Sequence, residues 1–242
     1  MDTNLDFSNV DLDRLDLDSL GERIESCARC PRLVAWREKI AFERRAAFSS
    51  EEYWGRPVRG FGDPRASILV VGLAPAAHGA NRTGRIFTGD RSGEWLFASM
   101  YRCGLASQPT STTREDGLRL RGVWVTAAVR CAPPGNRPTP EERDNCAAFL
   151  AREMALLGGL KVVVALGGFA YQAVANMVGV ERPRPRFGHG IQARAAGGLT
   201  VVCSYHPSQQ NTFTGRLNEA MLDSVFTEAS RLASASRPLE IP

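Results

Sequence analysis

Four short apolar runs constrain this chain more than any other feature. They lie at 67–73 (SILVVGL), 123–129 (VWVTAAV), 161–167 (KVVVALG) and 199–205 (LTVVCSY). Continuous β-branched runs of this length suit strands buried on both faces of a parallel sheet. Helical patterns fall between and after them, at 92–104, 140–157, 168–179 and 216–234, with an earlier one at 33–48. The helix at 140–157 has a marked start, with Thr139 as cap, Pro140 in the first turn and Glu142 three residues after the cap. Strand–helix alternation predicts an α/β fold, a three-layer αβα sandwich with a four-stranded, mostly parallel central sheet. In such sheets ligands bind beyond the carboxyl ends of the strands.

The residues after each run fit that rule. LAPAAHG comes after the first, RCAPPGN after the second, GGF after the third and HPSQQN after the fourth. The loops rich in Gly, Pro, His and Asn therefore gather at one sheet edge, and that edge is the expected site.

Charge is unevenly spread. Residues 1–20 hold six Asp and one Arg, whereas the whole chain carries a net charge of +4, so the other 222 residues carry +9. Almost all of that positive charge is Arg, since Lys occurs only at Lys39 and Lys161. Planar guanidinium suits phosphate, and a basic, Arg-dominated body points to nucleic acid, although codon usage alone would produce the same bias. We expect an acidic N-terminal segment, 1–20, followed by a single domain over 21–242. No apolar run approaches the roughly 18 residues of a membrane span, and the acidic start is unlike a signal peptide. A soluble, cytoplasmic monomer is the expectation.

The loop at 72–93 reads GLAPAAHGANRTGRIFTGDRSG. It lacks the GK[ST] ending of a phosphate-binding P-loop, and no G-x-S-x-G elbow supports a serine hydrolase. His78 and His206 each come after a strand, and His189 lies in FGHG. A neutral imidazole there can donate a hydrogen bond to a developing anion. Six cysteines in such a chain favour metal over disulfides. Cys27 and Cys30 form C-x-x-C, and Cys131 and Cys146 are spaced more widely. Spacing leaves iron–sulfur and structural zinc both open, although the second pair of a zinc site is usually also C-x-x-C.

GLAPAAHGANRTGRIFTGD and HPSQQNTFTG, in this order, resemble the family 5 (type B) uracil-DNA glycosylases. The likeness runs from CARCPRL through VWVTAAVRCAPPGNRPTPEER to the last helix. It implies excision of uracil from DNA, leaving an abasic site, with a scope that extends to other deaminated bases such as hypoxanthine and xanthine. Alternatives are a glycosylase devoted mainly to another deaminated base, and a non-catalytic iron–sulfur protein that binds nucleic acid. The likeness makes Cys27, Cys30, Cys131 and Cys146 ligands of a 4Fe–4S cluster. It makes His206 the donor to the uracil leaving group and Asn136 the residue that holds the water, with Asn81 as second choice. Gly72, Ala74, His78 and Phe87 would line the base pocket, with Phe87 stacking on the flipped base. Where the wider superfamily has Asp or Asn just before the motif's Pro, this chain has Ala74. Arg82, Arg85, Gln210 and Arg216 are the expected DNA contacts, with 182–186 (RPRPR) a further candidate. Polar residues around Gln210 replace the Leu wedge that superfamily members often carry.

Overall fold

The computed structural model describes residues 12–235. Two helices, α1 (Leu17–Glu25) and α2 (Pro31–Glu43), lead into the edge strand β1 (Phe61–Gly62) and then β2 (Ile68–Gly72). After these come α3 (Ala80–Thr83), α4 (Arg91–Arg102), β3 (Val123–Ala127), α5 (Pro140–Leu156), β4 (Val162–Leu166) and α6 (Gly168–Met177). The described residues end with β5 (Gln192–Arg194), β6 (Thr200–Ser204), α7 (Gln209–Phe213) and α8 (Glu219–Ala235).

The four apolar runs become β3, β2, β4 and β6, all parallel, in that order across the sheet. Val70 of β2 is paired with Val125 on one side and Val164 on the other, so the most hydrophobic strands lie centrally. Among the described residues the sheet has six strands rather than the expected four. The additional ones, β1 and β5, pair antiparallel at the two edges. Neither has an apolar run: β1 is two residues long, and β5 reads Gln-Ala-Arg with only Ala193 buried. Short, polar edge strands discourage pairing with other chains.

Side chains alternate between two cores. Val70, Val125, Val164 and Val202 face Phe97 of α4 and Phe226 of α8. Leu69, Val71, Val163 and Val201 face Leu150 of α5 and Val174 of α6. The expected start of α5 is borne out, because Glu142 N donates to Thr139 Oγ1 at 3.2 Å and Thr139 N donates to Glu142 Oε2 at 2.8 Å. Two helix ends depart from expectation by three residues or more. α2 stops at Glu43 because Arg44 adopts φ 52°. α8 begins at Glu219, after Gly215 at φ 70°, and the Asn218 side chain accepts from Met221 N at 2.9 Å.

The boundary expected at residue 20 falls inside α1, whose Leu20 and Ile24 are buried against Phe149 of α5. Residues 1–11 of that acidic segment lie outside the described residues. No described helix is long and apolar enough to cross a membrane.

Candidate active site and cysteine centre

The loops after β2, β3, β4 and β6 leave the same end of the parallel sheet. At the end of β2, Gly72 is required by a neighbour: a Cβ there would stand 2.6 Å from Phe87 Cζ. Phe87 is buried and has φ 54°. Its carbonyl is also shielded by a glycine, since a Cβ at Gly93 in the first turn of α4 would approach it to 1.8 Å. Non-glycine residues held in this region cost of order 1–3 kcal/mol and concentrate at functional sites. Asn136 shares this conformation at φ 55°. Two of the three described non-glycine residues with positive φ are therefore ones that the sequence singles out.

His206 lies two residues after the end of β6, with its ring centroid 5.7 Å from that of Phe87 and the planes at 33°. Its carbonyl accepts from Asn211 Nδ2 at 2.8 Å, which fastens the HPSQQN turn. Desolvation lowers the imidazole pKa to about 4, so the ring is neutral at pH 7. Beneath it, Tyr205 N donates to His189 Nδ1 at 3.3 Å. His189 thus braces the loop.

His78 lies under Tyr53, with Oη and Nδ1 3.1 Å apart. Tyr53 Oη also accepts from Arg45 N at 3.3 Å, which ties His78 to the segment after α2. Burial, then Arg45 and Arg82, lowers the His78 pKa. Asn136 is exposed at the tip of the turn after β3. Asn81 is wholly buried in α3, where its Nδ2 donates to Arg37 O at 3.2 Å.

The expected DNA contacts separate into two groups. Arg216 and Gln210 are exposed, and the Arg216 guanidinium lies 4.5 Å from the centre of the Tyr205 ring. Arg82 and Arg85 are instead turned inward. Arg82 pairs with Glu51 and donates to His78 O and Gly89 O. Arg85 pairs with Asp116 at 2.7 Å and donates to Ser111 Oγ and Arg114 O. Both hold loops together and have little left to offer a phosphate. Within 182–186, Arg184 turns back to Asn176 Oδ1 at 2.8 Å. Sequence reasoning did not single out Phe213, 68% exposed on α7 with Arg91 4.4 Å from its ring centre. Its signal was a lone aromatic in a polar turn.

Cys27, Cys30, Cys131 and Cys146 line one closed cavity with Leu33, Arg130 and Asn145. Cys27 lies just after α1, Cys30 caps α2, Cys131 lies after β3 and Cys146 in α5. Arg37 Nη1 donates to Cys131 Sγ at 3.1 Å and to Cys27 O at 3.2 Å, and Asn145 Nδ2 approaches Cys30 Sγ at 3.6 Å. Burial pushes the Cys131 thiol up to about 12 and Cys146 up to about 11. No three His, Cys, Asp or Glu side chains among the described residues are close enough to hold one metal ion. Ala74, just after β2, packs against the Leu33, Val129, Cys131 and Cys146 cluster. Of the remaining thiols, Cys203 is buried in β6, whereas Cys103 is only partly so.

A family model described as "Uracil DNA glycosylase superfamily" matches residues 59–229, from just before β1 into α8, and the chain belongs to that superfamily. The "Type-5 uracil-DNA glycosylase" of Mycobacterium tuberculosis is 52% identical over 216 residues, covering 88% of this chain and 81% of that protein. The protein of the same name from Thermus thermophilus is 50% identical over 219 residues, 90% and 99% of the two chains. A "Type-4 uracil-DNA glycosylase" from Thermotoga maritima is 30% identical over 193 residues, 79% and 81%. The resemblance to family 5 drawn from the two long motifs is borne out: the chain is of the type-5 kind, a glycosylase acting on uracil in DNA.

Proposed function

We propose that uracil excision in this enzyme is driven mainly by stabilising the departing base, with His206 as the hydrogen-bond donor. The reaction breaks the C1′–N1 bond and leaves its electron pair on uracil. Water oxygen then bonds to C1′, and the proton that water releases balances the uracil anion. Negative charge grows on uracil O2 as the bond breaks, so a fixed neutral donor binds the transition state more strongly than the ground state. The single observation that carries this reading is the desolvated, neutral imidazole of His206 beside Phe87.

Phe87 supplies the stacking face for a base turned out of the duplex. Turning the base out costs a few kcal/mol, least for mispaired bases. Asn136, exposed after β3, orients the water. An amide is a poor base, and Ala74 brings no carboxylate, so water activation is the lesser contribution. Arg216 and Gln210 meet the DNA backbone. Such contacts give affinity without sequence preference.

Cys27, Cys30, Cys131 and Cys146 would hold a 4Fe–4S cluster. In support, the four thiols line one cavity, and a buried guanidinium, that of Arg37, donates to one of them, Cys131 Sγ, with its Nε unpartnered. A buried cation calls for an anion, which a thiolate-ligated cluster provides. When bound, the cluster supplies four iron–thiolate bonds that tie the α1–α2 segment to the β3 loop and α5.

Single-turnover excision from uracil-containing oligonucleotides, with alkali to reveal abasic sites, tests the assignment. We expect His206→Ala to lose about 10²–10³ in rate, the cost of removing one oxyanion-hole donor, and more than Asn136→Ala loses. Greater damage in the asparagine variant would overturn it. Iron analysis with absorbance near 400 nm tests the cluster, and stoichiometric zinc without iron in anaerobically prepared protein would refute it.

A further inference from the structure

We infer that Arg37 is the positioning residue that joins the cysteine centre to the loop carrying the base pocket, acting on both through one residue. The inference rests on reading the four cysteines as iron–sulfur ligands.

Arg37 lies seven residues after Cys30, two turns along the same face of α2. Its side chain is buried, and Nη1 bridges Cys131 Sγ and Cys27 O, which belong to the two separate segments that form the centre. The carboxylate it reaches, Glu38 Oε1 at 3.7 Å, is largely exposed. The charge that matches Arg37 inside the protein is therefore that of the ligating thiolates. N–H donors to cluster sulfurs set ligand orientation and reduction potential.

The main chain of the same residue faces the other way. Arg37 O accepts from Asn81 Nδ2, and Asn81 is wholly buried in the loop between His78 and Phe87. Asn81 N donates to Ala76 O at 3.0 Å, and Asn81 O accepts from Gly55 N at 3.0 Å, so this asparagine is the fastening point of the whole turn. Ala74, in the same loop, packs directly on the cysteine centre. A shift of Arg37 away from the sulfurs is thus passed to the segment that shapes the base pocket.

The test uses the holoenzyme and the variants Arg37→Met and Arg37→Lys. Three quantities are read: iron per chain, the rate at which absorbance near 400 nm disappears under a ferrous-iron chelator, and the midpoint potential in a dithionite titration with mediators. We expect Arg37→Met to bleach at least fivefold faster than wild type and its potential to move negative, because a positive charge and a donor are lost. Arg37→Lys, which keeps the charge, restores the potential toward wild type. Should Arg37→Met fail to retain iron, Arg37→Lys decides: faster bleaching than wild type supports the assignment, and wild-type bleaching with wild-type potential overturns it. Arg37→Met with full iron, unchanged potential and unchanged bleaching also overturns it. Wild-type protein without iron would instead defeat the cluster reading itself.

Discussion

Gly72 has no side chain where Phe87 has its ring: a Cβ on the first would stand 2.6 Å from Cζ of the second. The end of the central strand and the Phe87 ring, for which we propose the base-stacking role, are therefore one packing unit. Gly72→Ala forces the ring to move or β2 to shift. Overpacking of this kind costs typically about 1–3 kcal/mol. We expect a stability loss in that range by urea denaturation, with a fall in single-turnover excision of at least tenfold. Wild-type excision in Gly72→Ala would show that Phe87 does not need its present position.

With His206 as the proposed donor, the relevant pH dependence follows its imidazole, whose pKa burial lowers to about 4 against an ordinary 6.5. As pH falls, the unfolded chain takes up this proton before the folded one does. The contribution of His206 to stability is thus complete above about 6.5 and lost between there and about 4. Its donor role requires only the neutral ring, so excision should not decline around pH 6.5 on its account. A single-turnover pH–rate profile with its acid limb below 5 is expected. An acid limb near 6.5 that disappears in His206→Gln would contradict the desolvated setting.

Arg85 and Arg216 should behave as opposites. Removing Arg85 leaves Asp116 without its partner in a buried pair, and breaking such a pair costs about 3–5 kcal/mol. Arg216 is exposed, and Arg216→Ala should leave thermal stability within about 0.5 kcal/mol of wild type. It should instead weaken DNA binding on every sequence and reduce the slope of log affinity against log salt by about 1. Binding titrations at several salt concentrations, beside melting curves, distinguish the two. A salt-slope change in Arg85→Lys with unaltered stability would return Arg85 to the DNA surface.

The contrast between those arginines shows what the sequence could convey. The parallel strands were legible because each is a buried apolar run, and their common direction located the site edge. The edge strands were not, because Phe61–Gly62 and Gln192–Arg194 carry no apolar pattern and are made by pairing alone. Arg82 and Arg85 looked like phosphate ligands because their partners, Glu51 and Asp116, are each 31 residues away in loops without periodicity. Arg37 was hidden for a related reason. Its meaning depends on Cys131 and Asn81, which only the fold brings to it. The capping box of α5 needed no such information, since every partner lies within four residues.

We expect substrate range to follow from the apolar residue at position 74. Ala74 packs against the cluster formed by Leu33, Val129, Cys131 and Cys146, and an alanine side chain has no donor or acceptor to offer a base. A site that hydrogen-bonds its substrate rejects an analogue strongly because its own buried polar group would be left unpaired; without such a group that penalty is absent. The Phe87 ring accepts any planar base, and the His206 donor accepts any suitably placed carbonyl oxygen. We therefore expect hypoxanthine and xanthine in DNA to be released, more slowly than uracil. Release should be fastest from mispairs, where the base leaves the stack most easily. Single-turnover assays on matched oligonucleotides carrying each base in turn measure this directly. If uracil alone is removed even at high enzyme, pocket shape enforces the choice, and the missing polar group at Ala74 has no bearing on selectivity.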